Sequence, residues 1–129
     1  MNPTYLDRGD LQVFVTAGDT PQPIPGARVR ISDPENGRVL EEVTTDSSGQ
    51  TPFVELPAPA IELSVSEGAA ERRPYAVYNV TVSAGGWETL HAGGVELMPA
   101  GRAVQRMALS PARPGGFNVR NVLFPPPAL

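Results

Sequence analysis

The chain has 129 residues and a formal net charge of −4, and it contains neither lysine nor cysteine. The missing cysteines exclude disulfides, thiol catalysis and thiolate metal sites, and the missing lysines exclude Schiff-base chemistry and lysine isopeptide crosslinks. A net-negative chain has no broad attraction to phosphate, so nucleic acid is not an expected partner. Fifteen prolines and thirteen glycines among 40% apolar residues describe a chain that folds with many turns around one core.

The first fifteen residues lack a basic segment leading into an apolar run, so no signal peptide is expected. No later stretch reaches transmembrane length, so no membrane partner is expected, and the compartment is left open. Leu11 to Ala17 alternates large apolar residues and predicts a strand that starts from Gly9-Asp10. Three prolines place Gly18 to Gly26 in a loop. Ala27, Val29 and Ile31 then alternate with Arg28, Arg30 and Ser32, the period of a strand with one wet face.

Asp33-Pro34-Glu35-Asn36-Gly37 has turn chemistry and leads into a third strand over Arg38 to Thr45. A turn at 46–50 follows, then a short strand over Phe53 to Leu56, with Pro57 and Pro59 flanking an extended crossing. Ile61, Leu63 and Val65 predict a fifth strand, and Ser66 to Arg73 a polar surface loop. Pro74 to Ala84 and Thr89 to Met98 read as two strands joined at Gly85-Gly86, with Gly93-Gly94 as a bulge in the second. A last strand is expected over Ala103 to Leu109. The proline-rich remainder carries one apolar island, Phe117 to Phe124, which either lies along the sheet or leads onward. Short strands at regular spacing without an amphipathic helix predict an all-β sandwich of seven or eight antiparallel strands.

The succession LQVFV, PIPGARVRI, TTDSSGQTPFVELP and YNVTVSAGGWETL resembles the carboxypeptidase-regulatory-like, prealbumin-like (transthyretin-like) sandwich across residues 9 to 110. That resemblance implies a Greek-key β-sandwich over 1–110 and a tail or linker over 111–129. A narrower likeness runs through SSGQTPFVELPAPAIELS, RPYAVYNVTVSAGGWETLHAGGVELMP and NVLFPPPAL. It is similar to the non-catalytic domain of clostridial spore cortex-lytic enzymes and related peptidoglycan-binding spore proteins. It implies a scaffold or interaction module without enzymatic activity, associated with spore or cell wall, whose partner is a protein or an adjacent domain.

Asp46-Ser47-Ser48-Gly49 is the most chemical-looking stretch, but it offers one carboxylate where calcium needs six or more converging oxygens. It also has no histidine beside its serines, so the preferred reading is an Asx turn with Gly49 in a left-handed conformation. His91 is the only histidine, which excludes a histidine-rich zinc site and any two-histidine acid/base mechanism within one chain. The transthyretin-like purine-pathway hydrolases carry a C-terminal Tyr-Arg-Gly-Ser that the ending FPPPAL lacks, so His91 reads as a partly exposed strand residue. Arg8-Gly9-Asp10 spells an adhesion tripeptide too short to carry weight, and Asn79-Val80-Thr81 is a glycosylation sequon set in a strand.

No catalytic, cofactor-binding or metal-binding residue is therefore assigned. The candidate contacts for a ligand or partner are Trp87 and Tyr75, as a stacking platform for cell-wall glycan, and Arg72 and Arg73 in the polar loop. The competing reading makes Trp87 a lid over one end of the sandwich and Tyr78 a core residue.

Overall fold

The computed structural model describes residues 6–59, 76–97, 101–114 and 118–123. They form eight strands: β1 (Leu6–Ala17), β2 (Arg28–Ser32), β3 (Val39–Thr44), β4 (Val54–Pro59), β5 (Ala76–Ser83), β6 (Thr89–Leu97), β7 (Arg102–Leu109) and β8 (Val119–Leu123). A three-stranded sheet has the order β4-β1-β7, and a five-stranded sheet the order β3-β2-β5-β6-β8. One apolar cluster fills the space between them, with Leu11, Val13, Val15, Leu56, Met107 and Leu109 from the first sheet. Val29, Ile31, Val80, Val82, Leu90 and Val95 meet them from the second. The all-β sandwich expected from strand alternation is what these residues form, and no helix occurs among the described residues. The predicted strand over Ile61 to Val65 and the loop over Ser66 to Arg73 lie outside them.

The two sheets are not wholly antiparallel as expected. β1 and β7 run parallel, from Asp10 beside Arg102 to Ala17 beside Leu109, and β6 and β8 run parallel from Thr89 beside Val119 to Gly93 beside Leu123. Both pairs arise where the chain crosses between sheets, β6 to β7 and β7 to β8. A crossing strand need not run opposite its new neighbour as the second strand of a hairpin must.

Three boundaries also move. β1 starts at Leu6, because Arg8 and Asp10 continue its wet face and pair with Glu55 at 3.7 Å and Arg102 at 3.6 Å. The integrin-like tripeptide is thus part of a paired strand. β4 runs through Pro57 to Pro59, which an edge strand tolerates because its outer N–H groups need no ladder partner. Within the C-terminal stretch, Val119–Leu123 adds a strand to the β6 edge.

The turn at 46–50 has the predicted local chemistry. The Asp46 carboxylate accepts the N–H groups of Ser48 at 2.8 Å and Gln50 at 3.1 Å, and Gly49 has φ 75°. It is not the tip of a hairpin, because β3 and β4 belong to different sheets. The turn is a corner between them, and two buried threonines fix it. Thr45 Oγ1 accepts the Ala27 N–H at 2.9 Å and donates to the Ile24 carbonyl at 2.7 Å. Thr51 Oγ1 accepts the Val13 N–H at 3.0 Å and donates to the Pro52 carbonyl at 2.9 Å.

Candidate functional site

Gly93-Gly94 forms the bulge that the sequence predicts. Tyr78 stands opposite Val95 and Val80 opposite Ala92, so both glycines face the single residue Asn79. An extra residue inverts the parity of a strand. Leu90 and Ala92 point inward before the bulge and Val95 and Leu97 after it, all 3% exposed or less. On the opposite surface the bulge leaves Gly93 as bare backbone. A Cβ there would meet Leu123 Cδ1 at 3.3 Å and Asn79 Oδ1 at 3.4 Å.

Registers across the five strands align the outward residues of this sheet in rows. Glu42, Arg30, Thr81, His91 and Asn121 occupy one row, each paired with the next across β3, β2, β5, β6 and β8. The neighbouring row holds Ser32 beside Asn79, then the bulge, then Leu123 beside Gly93. Between the rows lies a groove of about 530 Å³, lined by Ser32, Asn79, Thr81, His91, Gly93 and Asn121 and walled at one side by Leu123. That volume is within the range of small-molecule sites. Leu123 is 81% exposed, which makes it an apolar surface offered to solvent.

Within the groove Thr81 Oγ1 lies 3.0 Å from His91 Nδ1, a cross-strand hydrogen bond that fixes the imidazole. The side chains of Ser32, Asn79 and Asn121 make no hydrogen bond to another group among the described residues. Their donors and acceptors face the groove uncommitted. At its border Glu42 meets both Arg30 at 3.4 Å and Arg28 at 3.2 Å, so two guanidinium groups share one carboxylate. The outer face of the three-stranded sheet differs in chemistry. There Arg102 lies over the Phe53 ring at 3.9 Å and beside Asp10 at 3.6 Å.

β8 contributes Asn121 and Leu123, and an ion pair holds it in place. Arg120 Nε is 3.2 Å from Glu88 Oε2, and its terminal nitrogen donates to the Ala108 carbonyl at 2.7 Å. Arg120 thereby joins β8 to the end of β7 in the other sheet.

Of the residues singled out from the sequence, Trp87 is half-buried. It packs against the core and bridges to Pro111, just past the Gly85-Gly86 turn. It does not line the groove. Tyr75, Arg72 and Arg73 lie outside the described residues. Tyr78 is a core residue as expected, 6% exposed, with its hydroxyl donating to the Pro57 carbonyl. His91 is an exposed strand residue, also as expected, but it stands in the groove. Ser32, Asn79, Thr81 and Asn121 were not identified as site residues. Their signal was alternation, since each is an outward position of its strand, but only the register brings them together. Among the described residues no cluster of three or more histidines or carboxylates could hold a metal ion, and no helix is long and apolar enough to cross a membrane.

No protein-family model and no curated protein matches the chain. Solved structures do. The Bacillus anthracis TIE protein superposes on 82% of the chain with a TM-score of 0.56 and 17% identity. A mutant catechol 1,2-dioxygenase of Acinetobacter radioresistens superposes on 88% with a TM-score of 0.55 and 11% identity. A minor pilin of the Gram-positive pathogen Streptococcus agalactiae superposes on 87% with a TM-score of 0.50 and 12% identity. The chain spans 18%, 55% and 48% of the lengths of those three proteins. At such identities the likeness is one of fold, and it establishes a β-sandwich module. It also corrects the expectation that the chain has no enzymatic activity. That expectation rested on the likeness to a non-catalytic spore-protein domain and on the lack of an evident catalytic set, whereas a dioxygenase is among the proteins that share the fold.

Proposed function

We propose that the chain is a binding module of a larger, cell-wall-associated protein, and that the groove on the outer face of the five-stranded sheet is its contact surface. One observation carries this reading: Ser32, Asn79 and Asn121 present uncommitted hydrogen-bonding groups to one groove beside an exposed leucine. Convergent polar groups beside an apolar wall are what orients a small ligand in a site. The cell-wall setting, including a spore wall, is supported by the sequence likeness to modules of spore cortex-lytic proteins. Co-sedimentation with insoluble peptidoglycan sacculi tests the proposal. The module is expected in the pellet, and a chain that stays wholly in the supernatant would overturn the setting.

A second reading is favoured by the contact of Thr81 Oγ1 with His91 Nδ1 at 3.0 Å, since a hydroxyl beside an imidazole nitrogen is the arrangement of a base-activated nucleophile. An ester hydrolysis lost in both Thr81→Val and His91→Ala would establish it, and equal turnover in both variants would dismiss it.

A further inference from the structure

We infer that the groove takes an uncharged, polyhydroxylated ligand, a short saccharide, held by side chains of β2, β5 and β8 rather than by aromatic stacking. This assignment rests on the binding-module reading and names the ligand class for the same site.

The first argument is charge. No arginine, aspartate or glutamate lines the groove among the described residues, His91 is its one ionisable side chain, and Glu42 at its border is shared by Arg30 and Arg28. A phosphate, carboxylate or ammonium ligand would give up its hydration to a lining without a fixed charge, which is costly. A neutral ligand avoids that penalty.

The second argument is hydrogen-bonding capacity. The serine hydroxyl and the two asparagine amides each both donate and accept, and a sugar hydroxyl also does both. An ionised or donor-only ligand would use only half of that capacity. Asn79 and Asn121 stand on β5 and β8, two strand spacings apart and one row offset, about 12 Å in all, a span that two linked sugar rings cover.

The third argument is the floor and wall. Gly93 adds no side chain to the groove floor, and Leu123 Cδ1 and Asn79 Oδ1 stand over it, 3.3 and 3.4 Å from where a Cβ would lie. Leu123 forms the wall there and is 81% exposed. An apolar wall next to a row of amides matches a pyranose ring, whose hydroxyls radiate in its plane while its C–H groups form an apolar face.

Titration of the isotope-labelled protein with cellotetraose and tetra-N-acetylchitotetraose as neutral probes, and tetragalacturonate as an anionic one, tests the assignment by amide chemical shifts. The neutral probes are expected to move resonances of Asn79, Thr81, His91, Gly93 and Asn121 at millimolar concentrations, with the anionic probe at least about tenfold weaker. Asn79→Ala and Asn121→Ala should each weaken neutral binding about fivefold to tenfold, the loss of one hydrogen bond. Both are partly exposed surface changes, and an unchanged melting temperature verifies the fold. The assignment is overturned if neither neutral probe moves these resonances at ~10 mM, or if tetragalacturonate binds as tightly. Sacculus binding that Asn79→Ala abolishes, with no response to neutral oligosaccharides, would remove the saccharide assignment and leave the binding module standing. Loss of both would remove both.

Discussion

The hydroxyl of Tyr78 donates a hydrogen bond to the carbonyl oxygen of Pro57, joining the middle of the five-stranded sheet to the edge of the three-stranded one. Burial pushes this phenol up to about 12, the Asp33 carboxylate adds to the rise, and Arg8 opposes it. Because the folded value lies above the unfolded value near 10, the stabilisation is complete below pH 10. It falls as the unfolded chain ionises first, by about 1.4 kcal/mol per pH unit, and is fully lost above the folded value. Urea unfolding across pH 9 to 12 should show this slope in the wild type and lose it in Tyr78→Phe. At neutral pH that variant should lose about 1 kcal/mol, the worth of one hydrogen bond.

Gly49 and Gly37 both have left-handed backbones, with φ of 75° and 71°, but only Gly49 is confined. A Cβ on Gly49 would lie 2.7 Å from the Val15 carbonyl oxygen and 2.8 Å from Pro23 Cβ, whereas one on Gly37 meets nothing within 4 Å. Gly49→Ala should cost about 2–4 kcal/mol from strain and overlap together, and Gly37→Ala about 1 kcal/mol from strain alone. Thermal melts of the two variants check the difference.

Thr51 is 2% exposed and accepts the Val13 N–H at 3.0 Å. Thr51→Val keeps the shape but leaves that buried donor unpaired, which should cost about 1–3 kcal/mol in denaturant unfolding. Thr51→Ser, which retains the hydroxyl, should recover most of the loss.

Arg120 holds β8 through Glu88 and the Ala108 carbonyl. Arg120→Ala should lower global stability by only about 1–2 kcal/mol but speed amide hydrogen exchange selectively along β8 and the facing residues of β6. Since Asn121 and Leu123 belong to that strand, groove binding should weaken in the same variant. Unchanged exchange in β8 would show that the strand is held by its ladder alone.

The strands were legible where one face is wet and one dry. Ala27, Val29 and Ile31 announce β2, and the Gly93-Gly94 pair announces the bulge. The left-handed Gly49 was legible because local turn chemistry demands it. The assignment of strands to sheets was not. Thr45 and Thr51 fix the corner through backbone groups 18 and 38 residues away, and no local pattern encodes partners so remote. The groove was hidden for the same reason. Ser32, Asn79, Thr81 and Asn121 are ordinary wet-face residues in isolation, and their meaning depends on a register spread across β2, β5, β6 and β8. Trp87 was read either as a stacking residue or as a lid beside the Gly85-Gly86 turn, and its packing against the core matches the lid.

The most direct measurement is sedimentation of the wild type and an Asn79→Ala/Asn121→Ala double variant with peptidoglycan sacculi, at matched concentration and with melting temperatures in parallel. The wild type should pellet with the wall and the double variant should stay in solution, while both melt at the same temperature. Equal sedimentation of the two folded proteins, or none by the wild type, would contradict the claim that this groove is the contact surface.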